Sequence, residues 1–338
     1  MRKLATIGLL LGSLVGFIAL SGCSKEVRNE QQLEQQIKEL ETKVKKQQKA
    51  IEQYQANLDQ KEAKKAIEVA ILEPNTGKVI KRINPMEMDF QKNVETYKKV
   101  ISDWVKDLAR SENGYDKRMF PDKIGADGVI IKGTPRVILS EDELVNRIMD
   151  ASAKGGQVEL PLTVFESGYK LEEVNTLDEV VISSFTTSFD PSVTGRVRNI
   201  ELSSQAIDNV ILGIGDVFSF NTAVGERTEV RGYQKAKEIV NKQMVAGIGG
   251  GICQTSSTLY NAVDKLKIKY VEHHNHSLHV GYVPKGRDAT VSWGGPDFRF
   301  ENTVNVPLLL KASVDKEKGK VTIEVRSSKL YASQIGKI

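Results

Sequence analysis

Thiol and imidazole side chains are scarce in this chain of 338 residues, and their few positions are informative. There are only two cysteines, Cys23 and Cys253, so the chain cannot build a disulfide framework. No pair of CxxC motifs is present, which argues against a cysteine-rich structural zinc site. All four histidines fall within residues 273–279. Any chemistry that uses a thiol or an imidazole is therefore confined to a few positions.

Strong charge of either sign is also missing. The chain has 48 Lys and Arg against 44 Asp and Glu, a formal net charge of +4. No concentrated basic patch with interleaved aromatic residues occurs, so we predict no nucleic-acid partner. The glycine-rich segment 247–251 lacks the lysine of a phosphate-binding loop, and we predict no cofactor. The mild positive charge suits a protein close to anionic lipid or anionic wall polymer.

The first 23 residues have the organisation of a signal segment. Met1-Arg2-Lys3 precedes an apolar run at 4–20 that ends in Leu20-Ser21-Gly22-Cys23. This ending resembles the bacterial lipobox, which implies lipid on Cys23 and a chain held at the extracytoplasmic face of the cell membrane. The alternative is a membrane-spanning anchor, although the run is slightly short for one. With Cys23 lipidated, Cys253 is the sole thiol of the mature protein.

Residues 24–66 contain no proline and no glycine and are rich in glutamine and lysine. Apolar residues recur at spacings of three and four, with one polar exception, and we call these positions the apolar seam: Leu33, Ile37, Leu40, Val44, Gln47, Ile51, Tyr54 and Leu58. This repeat is typical of a coiled coil, so we predict a helical stalk that pairs with a second copy of the chain. A solvated monomeric helix or a partly disordered linker is the alternative.

The rest of the chain predicts an α+β fold in two domains, a small α+β domain at 67–175 and a mostly antiparallel β domain at 181–328 with a central helix after a glycine-rich loop. Predicted helices lie at about 88–111, 140–152 and 198–212, and another follows the glycines. Predicted strands lie at 67–72, 78–83, 158–165, 180–189, 267–271, 289–293, 298–302, 308–314 and 320–326.

Cys253 follows the glycine run and begins a helical pattern. The positive end of a helix dipole stabilises a thiolate, so this position favours a reactive cysteine. His276 is the candidate base, and either Asp288 or Asn275 would orient its imidazole. Backbone N–H groups at 251–254, with the Gln254 side chain, would stabilise an oxyanion. The alternative is that Cys253 is a small buried core residue and His276 a hydrogen-bonded structural histidine.

A metal site is a weaker hypothesis, although histidine and cysteine are suitable ligand types. Along a strand His274 and His276 would share one face, whereas His273 and His279 would share the other. The ligands would therefore diverge, and we predict no metal.

A long ordered series of motifs resembles the VanW domain family over about 181–328. The motifs are Phe185-Thr186-Thr187, Arg198-Asn199-Ile200, Gly215 to Asn221, Gly225, Arg227-Thr228, Gly232-Tyr233, Gly247 to Gln254, Ser257 to Ala262, His276-Ser277, Tyr282, Pro284, Gly286 and Asp288-Ala289. The resemblance implies a bacterial envelope protein with a role in cell-wall biology, and it assigns no reaction. Its domain order implies a peptidoglycan-binding module at 67–175. One departure is His273, where the family commonly has arginine after the glutamate.

Two functions fit these residues. In the first, the chain is a wall-binding or wall-maintenance lipoprotein whose cleft holds a peptidoglycan or wall-peptide ligand without turnover. That cleft would use the glycine-loop residues Gly249, Gly250 and Gly251 with Arg227, Tyr260, Tyr282 and Asp288. In the second, Cys253 and His276, with Gln254 and Asp288, catalyse acyl transfer or the cleavage of amide and peptide bonds in wall peptides.

Overall fold

The computed structural model describes residues 26–65, 67–240 and 243–335. The predicted signal segment 1–23, with Cys23, lies outside these residues. Within the described ranges, no helix has both the length and the apolar composition that crossing a membrane requires.

The predicted stalk is one continuous helix, α1, at Glu26–Lys65. At 1.5 Å per residue its 40 residues extend for about 60 Å. Every side chain described between 32 and 59 is exposed to solvent. The apolar seam is part of this exposed surface, with exposed fractions from 39% at Leu58 to 68% at Tyr54. The prediction that α1 pairs with a second copy stays a prediction.

The first globular part contains β1 (Val69–Leu72), β2 (Val79–Ile83), α2 (Val94–Arg110), β3 (Lys123–Ile124), β4 (Ile130–Ile131), β5 (Arg136–Leu139), α3 (Glu141–Ser152), β6 (Gly156–Glu159) and β7 (Leu162–Phe165). One sheet has the order β2-β1-β6, and β5 pairs with β7. Helices α2 and α3 contact each other and bury apolar residues such as Ile101, Val105, Leu144 and Ile148 against β1 and β6. The buried residues of α2 recur every four positions, which is why this helix has one apolar face.

The second globular part contains β8 (Val180–Ser188), α4 (Thr194–Ile207), β9 (Val210–Leu212), β10 (Val217–Ser219), α5 (Phe220–Val224), β11 (Lys235–Val240), β12 (Gln243–Ile248), α6 (Ile252–Asp264), β13 (Lys269–Glu272), β14 (Arg299–Glu301), β15 (Leu308–Asp315), β16 (Lys320–Ser327) and α7 (Lys329–Ile335). The largest sheet has six strands in the order β4-β3-β9-β15-β16-β8, and all its pairings are antiparallel. Two smaller sheets have the orders β10-β14-β13 and β11-β12.

Helix α6 is the centre of this part. It packs on β8 and β16 and against α4, and its apolar side chains join a core that contains Phe218, Phe298 and Phe300. Eleven of its 13 residues are buried. The predicted fold class, α+β with a helix that follows the glycine loop and lies against antiparallel strands, is confirmed.

Several predicted elements differ from the structure. The helix predicted at 198–212 starts earlier and ends at Ile207, because Asn209 has a left-handed conformation (φ +62°) that turns the chain into β9. The strand predicted at 158–165 is two strands in different sheets, separated at Leu160-Pro161, since proline has no N–H to donate. The strand predicted at 289–293 is an irregular segment instead.

The two globular parts are joined through a shared sheet. The β3–β4 hairpin comes from the first part, yet Lys123 pairs with Val210 of β9 in the six-stranded sheet. Arg118 also forms an ion pair with buried Asp297, at 3.0 Å. The domain boundary near 175 remains a prediction, and these pairings cross it.

Candidate active site

Cys253 is the second residue of α6, directly after the glycine run. The N-cap residue, Gly251, has φ +112°, a conformation that side-chain-bearing residues rarely adopt. Gly250 lies so close to β11 that a Cβ there would come within 2.5 Å of the Ala236 carbonyl oxygen. The glycine run therefore seats the start of α6 against β11 and places Cys253 at the positive end of the helix.

Short polar side chains of α6 fix the helix to its neighbours. Thr258 hydrogen-bonds to Thr187 of β8, with 2.8 Å between the hydroxyl oxygens, and Thr255 bonds to Ser203 of α4 at the same distance. All four side chains are buried. The serine- and threonine-rich part of the sequence motif thus positions the helix and is not itself exposed to a ligand.

The same helix also holds the irregular segment at 287–291. Ser256 donates to the Ala289 carbonyl (2.6 Å), and the Ala289 N–H donates to Ser257 Oγ (2.9 Å). Asn261 donates to the Arg287 carbonyl at 2.7 Å. These bonds replace strand pairing for this segment, and they place Asp288 beside the histidine-containing loop.

His276 is bound to Asp288 through both its backbone and its ring. The backbone N–H donates to Asp288 Oδ2 at 2.6 Å, and Nδ1 lies 2.7 Å from the same oxygen. The two side chains are only 6% and 8% exposed. A carboxylate can only accept, so Nδ1 carries the proton and Nε2 is left for the thiol. Asn275 donates to Asp288 Oδ1 (3.1 Å), so Asp288 orients the imidazole and Asn275 supports Asp288.

The Cys253 thiol lies at the end of this row. Its S–H donates to the Val291 carbonyl, with 3.4 Å between Sγ and the oxygen, and His276 lines the same cleft. Burial acts to raise the pKa of the Cys253 thiol, but the hydrogen bond and charge of His276 outweigh burial and leave the pKa below its ordinary value.

The pKa of His276 changes in the opposite sense. Burial acts to lower it, but the Cys253 thiolate and the Asp288 carboxylate outweigh that effect, so the His276 pKa is raised. Burial likewise acts to raise the pKa of Asp288, but its bonds from His276 hold it below the ordinary value. The row Cys253–His276–Asp288 is therefore suited to exist as thiolate, imidazolium and carboxylate, which is the arrangement of an activated cysteine nucleophile.

Cys253 and His276 line a cleft of about 830 Å³, together with the glycine run, Tyr282, Trp293, and the arginines Arg196 and Arg227, whereas Asp288 is not among the lining residues. Arg196 donates to Gln254 Oε1 and Arg227 to Asn221 Oδ1, each at 2.7 Å. Burial lowers the pKa of both guanidinium groups, but arginine stays charged in proteins. The cleft thus combines a nucleophile with two cations.

Only part of the predicted set of backbone oxyanion donors is free at the start of α6. The N–H groups of Ile252 and Gln254 already donate to the carbonyls of Gly249 and Gly251. Among the described residues the Cys253 N–H donates to no backbone carbonyl, so it is available to a bound oxyanion.

The structure does not bring the Gln254 side chain into the role that the sequence predicted. Both of its amide hydrogens are engaged, one by Thr187 Oγ1 (3.0 Å) and one by the Ser188 carbonyl (2.9 Å). Its oxygen accepts from Arg196. Gln254 therefore orients Arg196 and cannot donate to an oxyanion in this arrangement.

Tyr260 is also separate from the cleft. Its ring stacks on His273 with 4.4 Å between centroids, and its hydroxyl accepts from Arg287. Tyr260 lies two helical turns beyond Cys253, about 10 Å along the axis, which explains the separation. Tyr282, in contrast, lines the cleft beneath Arg196, and burial raises the pKa of its phenol.

The four histidines do not divide as predicted for a strand, in which His274 would share a face with His276, because β13 ends at Glu272 and these residues lie in a loop. His273 contacts the Asp288 carbonyl and His274 contacts Glu272, while only His276 and His279 line the cleft. Across the described part of the chain, no group of three or more His, Cys, Asp or Glu side chains is arranged to hold a metal ion. Arg196 was missed by the sequence reasoning, because nothing local links α4 to the start of α6.

Comparison with known proteins identifies this part of the chain. Residues 195–325 match the family described as VanW like protein. The chain contains a VanW-like domain. An uncharacterized protein, YoaR, of Bacillus subtilis is 46% identical over 157 residues, which cover 46% of this chain and 51% of YoaR. The vancomycin B-type resistance protein VanW of Enterococcus faecalis is 24% identical over 190 residues, covering 54% of this chain and 66% of that protein.

The chain thus spans about half of the first relative and less than two thirds of the second. No solved structure matches it significantly. The family predicted from the motifs is confirmed, and the VanW-like domain includes Cys253, His276, Asp288, Arg196 and Arg227.

Proposed function

We propose that the VanW-like domain is a thiol-dependent acyl-transfer enzyme that acts on peptide or amide bonds of the cell wall. The observation that carries this proposal is a half-buried cysteine at a helix start that shares a cleft with His276, whose buried imidazole is hydrogen-bonded to Asp288. A purely structural cysteine has no need of a charged imidazole that is itself fixed by a carboxylate.

The chemistry follows from the positions of these groups. The Cys253 thiolate attacks the amide carbonyl carbon, a C–S bond forms, and the resulting oxyanion is held by the backbone N–H of Cys253 in the first turn of α6. The C–N bond then breaks while His276 Nε2–H protonates the leaving amine. Neutral His276 next takes a proton from water or from an acceptor amine, which attacks the thioester and releases the thiolate.

The setting is part of the proposal. A relative is named for vancomycin resistance, which supports a role at the cell wall for this chain. The signal-like start and the lipobox-like Cys23 support a lipid-anchored protein on the extracytoplasmic face of the membrane. In this arrangement α1 is a spacer of about 60 Å, and residues 67–175 are the region where a peptidoglycan-binding module is expected.

Ligand binding without turnover is the second candidate. It is favoured by one observation, the two arginines in the cleft that are oriented by amide oxygens. In that case the cleft would hold a wall peptide and the chain would connect the membrane to the wall.

The rate of Cys253 alkylation by iodoacetamide, followed against pH, tests the catalytic proposal. A Cys23→Ser background makes Cys253 the only thiol. We expect a thiol whose pKa is below its ordinary value, so that alkylation stays fast as the pH falls below the usual thiol range. His276→Ala removes the largest influence that lowers the thiol pKa while burial stays, so the pKa should rise and the rate at pH 7 should fall at least about tenfold.

His274→Ala is the matched control, since that exposed histidine contacts Glu272 and lies outside the row. It should leave the pH profile unchanged. A thiol that reacts only after unfolding, with no effect of His276→Ala, would contradict the proposal and leave the binding function.

A further inference from the structure

We infer that the cleft takes a substrate with a free carboxylate, which Arg196 and Arg227 bind beside the Cys253 thiol. This inference deepens the proposed function by naming the class of acyl donor: a peptide or amide with a carboxylate close to the scissile bond.

Both arginines come from other segments of the chain and pack against the glycine loop that positions the nucleophile. A Cβ on Gly251 would come within 2.8 Å of Arg196 Cγ, and one on Gly249 within 3.3 Å of Arg227 Cβ and Cγ. The two side-chain stems therefore lie against either end of the glycine segment that precedes Cys253. Arg196 and Arg227 line the same cleft as Cys253, so both guanidinium groups lie in the cavity that holds the reacting atom.

Each arginine is oriented by a neutral group. Arg196 donates to the amide oxygen of Gln254 and Arg227 to that of Asn221. Among the residues that the structure describes, neither forms an ion pair, and Arg227 Nη1 is buried without a hydrogen-bond partner. An amide oxygen fixes the direction of a guanidinium and leaves its charge uncompensated, so both charges remain for a ligand.

Nearby carboxylates do not remove this charge. Asp297, whose charge acts on Arg227, is already bound to Arg118 and Ser219. Glu226 and Glu238 also line the cleft, but within the described ranges neither forms an ion pair with Arg196 or Arg227, and burial raises the pKa of Glu238. Leaving a guanidinium half-buried and unpaired is costly, and a bound carboxylate would offset that cost through charge-assisted hydrogen bonds.

The position of these charges restricts the substrate. With the arginines beside the thiol, a bound carboxylate lies close to the carbonyl that the thiol attacks. A free terminal carboxylate, or an acidic side chain next to the scissile bond, meets this requirement. The interior of an uncharged peptide does not, so the geometry favours action at the carboxyl end of a peptide.

The test compares two small probes of nearly the same shape, N-acetylglycine with a charged carboxylate and N-acetylglycinamide with a neutral amide in its place. Binding is measured by NMR titration of the full chain carrying Cys23→Ser and Cys253→Ser, so that no turnover or thiol reaction intervenes. We expect the carboxylate to bind at least about tenfold more tightly than the amide, as for charge-assisted hydrogen bonds. Arg227→Gln and Arg196→Gln should each reduce this ratio towards one, whereas Arg147→Gln, at an exposed ion pair of α3, should not.

Equal affinities for the two probes, or no binding of N-acetylglycine at millimolar concentration, would overturn the inference. The same result combined with a low thiol pKa would leave the catalytic proposal intact. Conversely, if the cleft prefers the carboxylate probe but the Cys253 thiol is unreactive, the anion-binding inference stands and the catalytic proposal is rejected.

Discussion

Helices α1 and α6 show how the same kind of apolar spacing leads to two different environments. In α6, Leu259 and Val263 are fully buried between two strands of the large sheet and α4. In α1, Leu33, Ile37 and Leu40 have the same spacing and remain more than half exposed. The pattern alone therefore predicts a helix with an apolar face, and the surrounding chain decides whether that face is covered.

Their polar residues differ in a corresponding way. The polar residues of α6 are mostly short Ser, Thr and Asn side chains, which are buried and hydrogen-bonded to β8, α4 and the segment 287–291. The polar residues of α1 are mostly long Gln, Lys and Glu side chains in water. Helix α6 is thus fixed in one position, as a helix that presents a nucleophile must be, whereas α1 has a surface that can accept a partner.

The largest expected effect comes from truncating one leucine in each helix. Leu259→Ala should lower the free energy of unfolding by about 2–5 kcal/mol, because it leaves a cavity in the core. Leu40→Ala in α1 should change it by less than about 0.5 kcal/mol, as expected for an exposed site. Urea denaturation of the dilute protein, followed by tryptophan fluorescence, measures both. Equal losses would mean that the globular core depends on α1.

A smaller effect is expected from removing one hydroxyl group in each helix. Thr258 and Thr42 both donate to the carbonyl four residues earlier, at 2.7 Å, but only Thr258 is buried and also bonded to Thr187. Thr258→Val should cost about 1–3 kcal/mol, because it leaves the Thr187 hydroxyl without this partner. Thr42→Val is the matched control and should be close to neutral. A neutral Thr258→Val would contradict the positioning role given to the polar motif.

The smallest effect on stability is expected for a substitution that changes the oligomeric state. If α1 pairs with a second copy through its apolar seam, sedimentation of the protein should show a dimer at micromolar concentration. Ile37→Lys, at the centre of the seam, should shift the population to monomer while the unfolding of the globular part stays unchanged. Lys38→Ala, one position away and off the seam, should leave the dimer intact. A monomer in the unsubstituted protein would contradict the coiled-coil hypothesis.

The sequence predicted the candidate site best at positions where residue type and local secondary structure both indicate the same chemistry. Cys253 at a helix start and His276 as its candidate base follow from residue type and chain order, and in the structure both residues line one cleft. The sequence left the group that orients His276 open between Asp288 and Asn275. That choice depends on how α6 holds the segment 287–291, which is a tertiary effect.

The missed features depend on contacts between distant segments. Arg196 reaches the cleft because α4 packs against α6, and no local pattern reports this. Gln254 lines the cleft, but its side-chain amide is engaged by Thr187, Ser188 and Arg196. Tyr260 lies two helical turns beyond Cys253 and outside the cleft. The β11–β12 hairpin was missed because Lys235 to Glu238 lacks the apolar alternation of a half-buried strand.

The β3–β4 hairpin has a practical consequence for anyone who dissects this chain. Residues 195–325 match the family, yet a fragment limited to them would lack the strand that covers β9. Its Asn209 carbonyl and Ile211 N–H, which bond to Ile124 and Asp122, would become free groups on an open sheet edge. Such an edge recruits strands from other molecules. A well-behaved fragment should therefore begin before Arg118, so that it brings its own edge protection and retains the ion pair with Asp297.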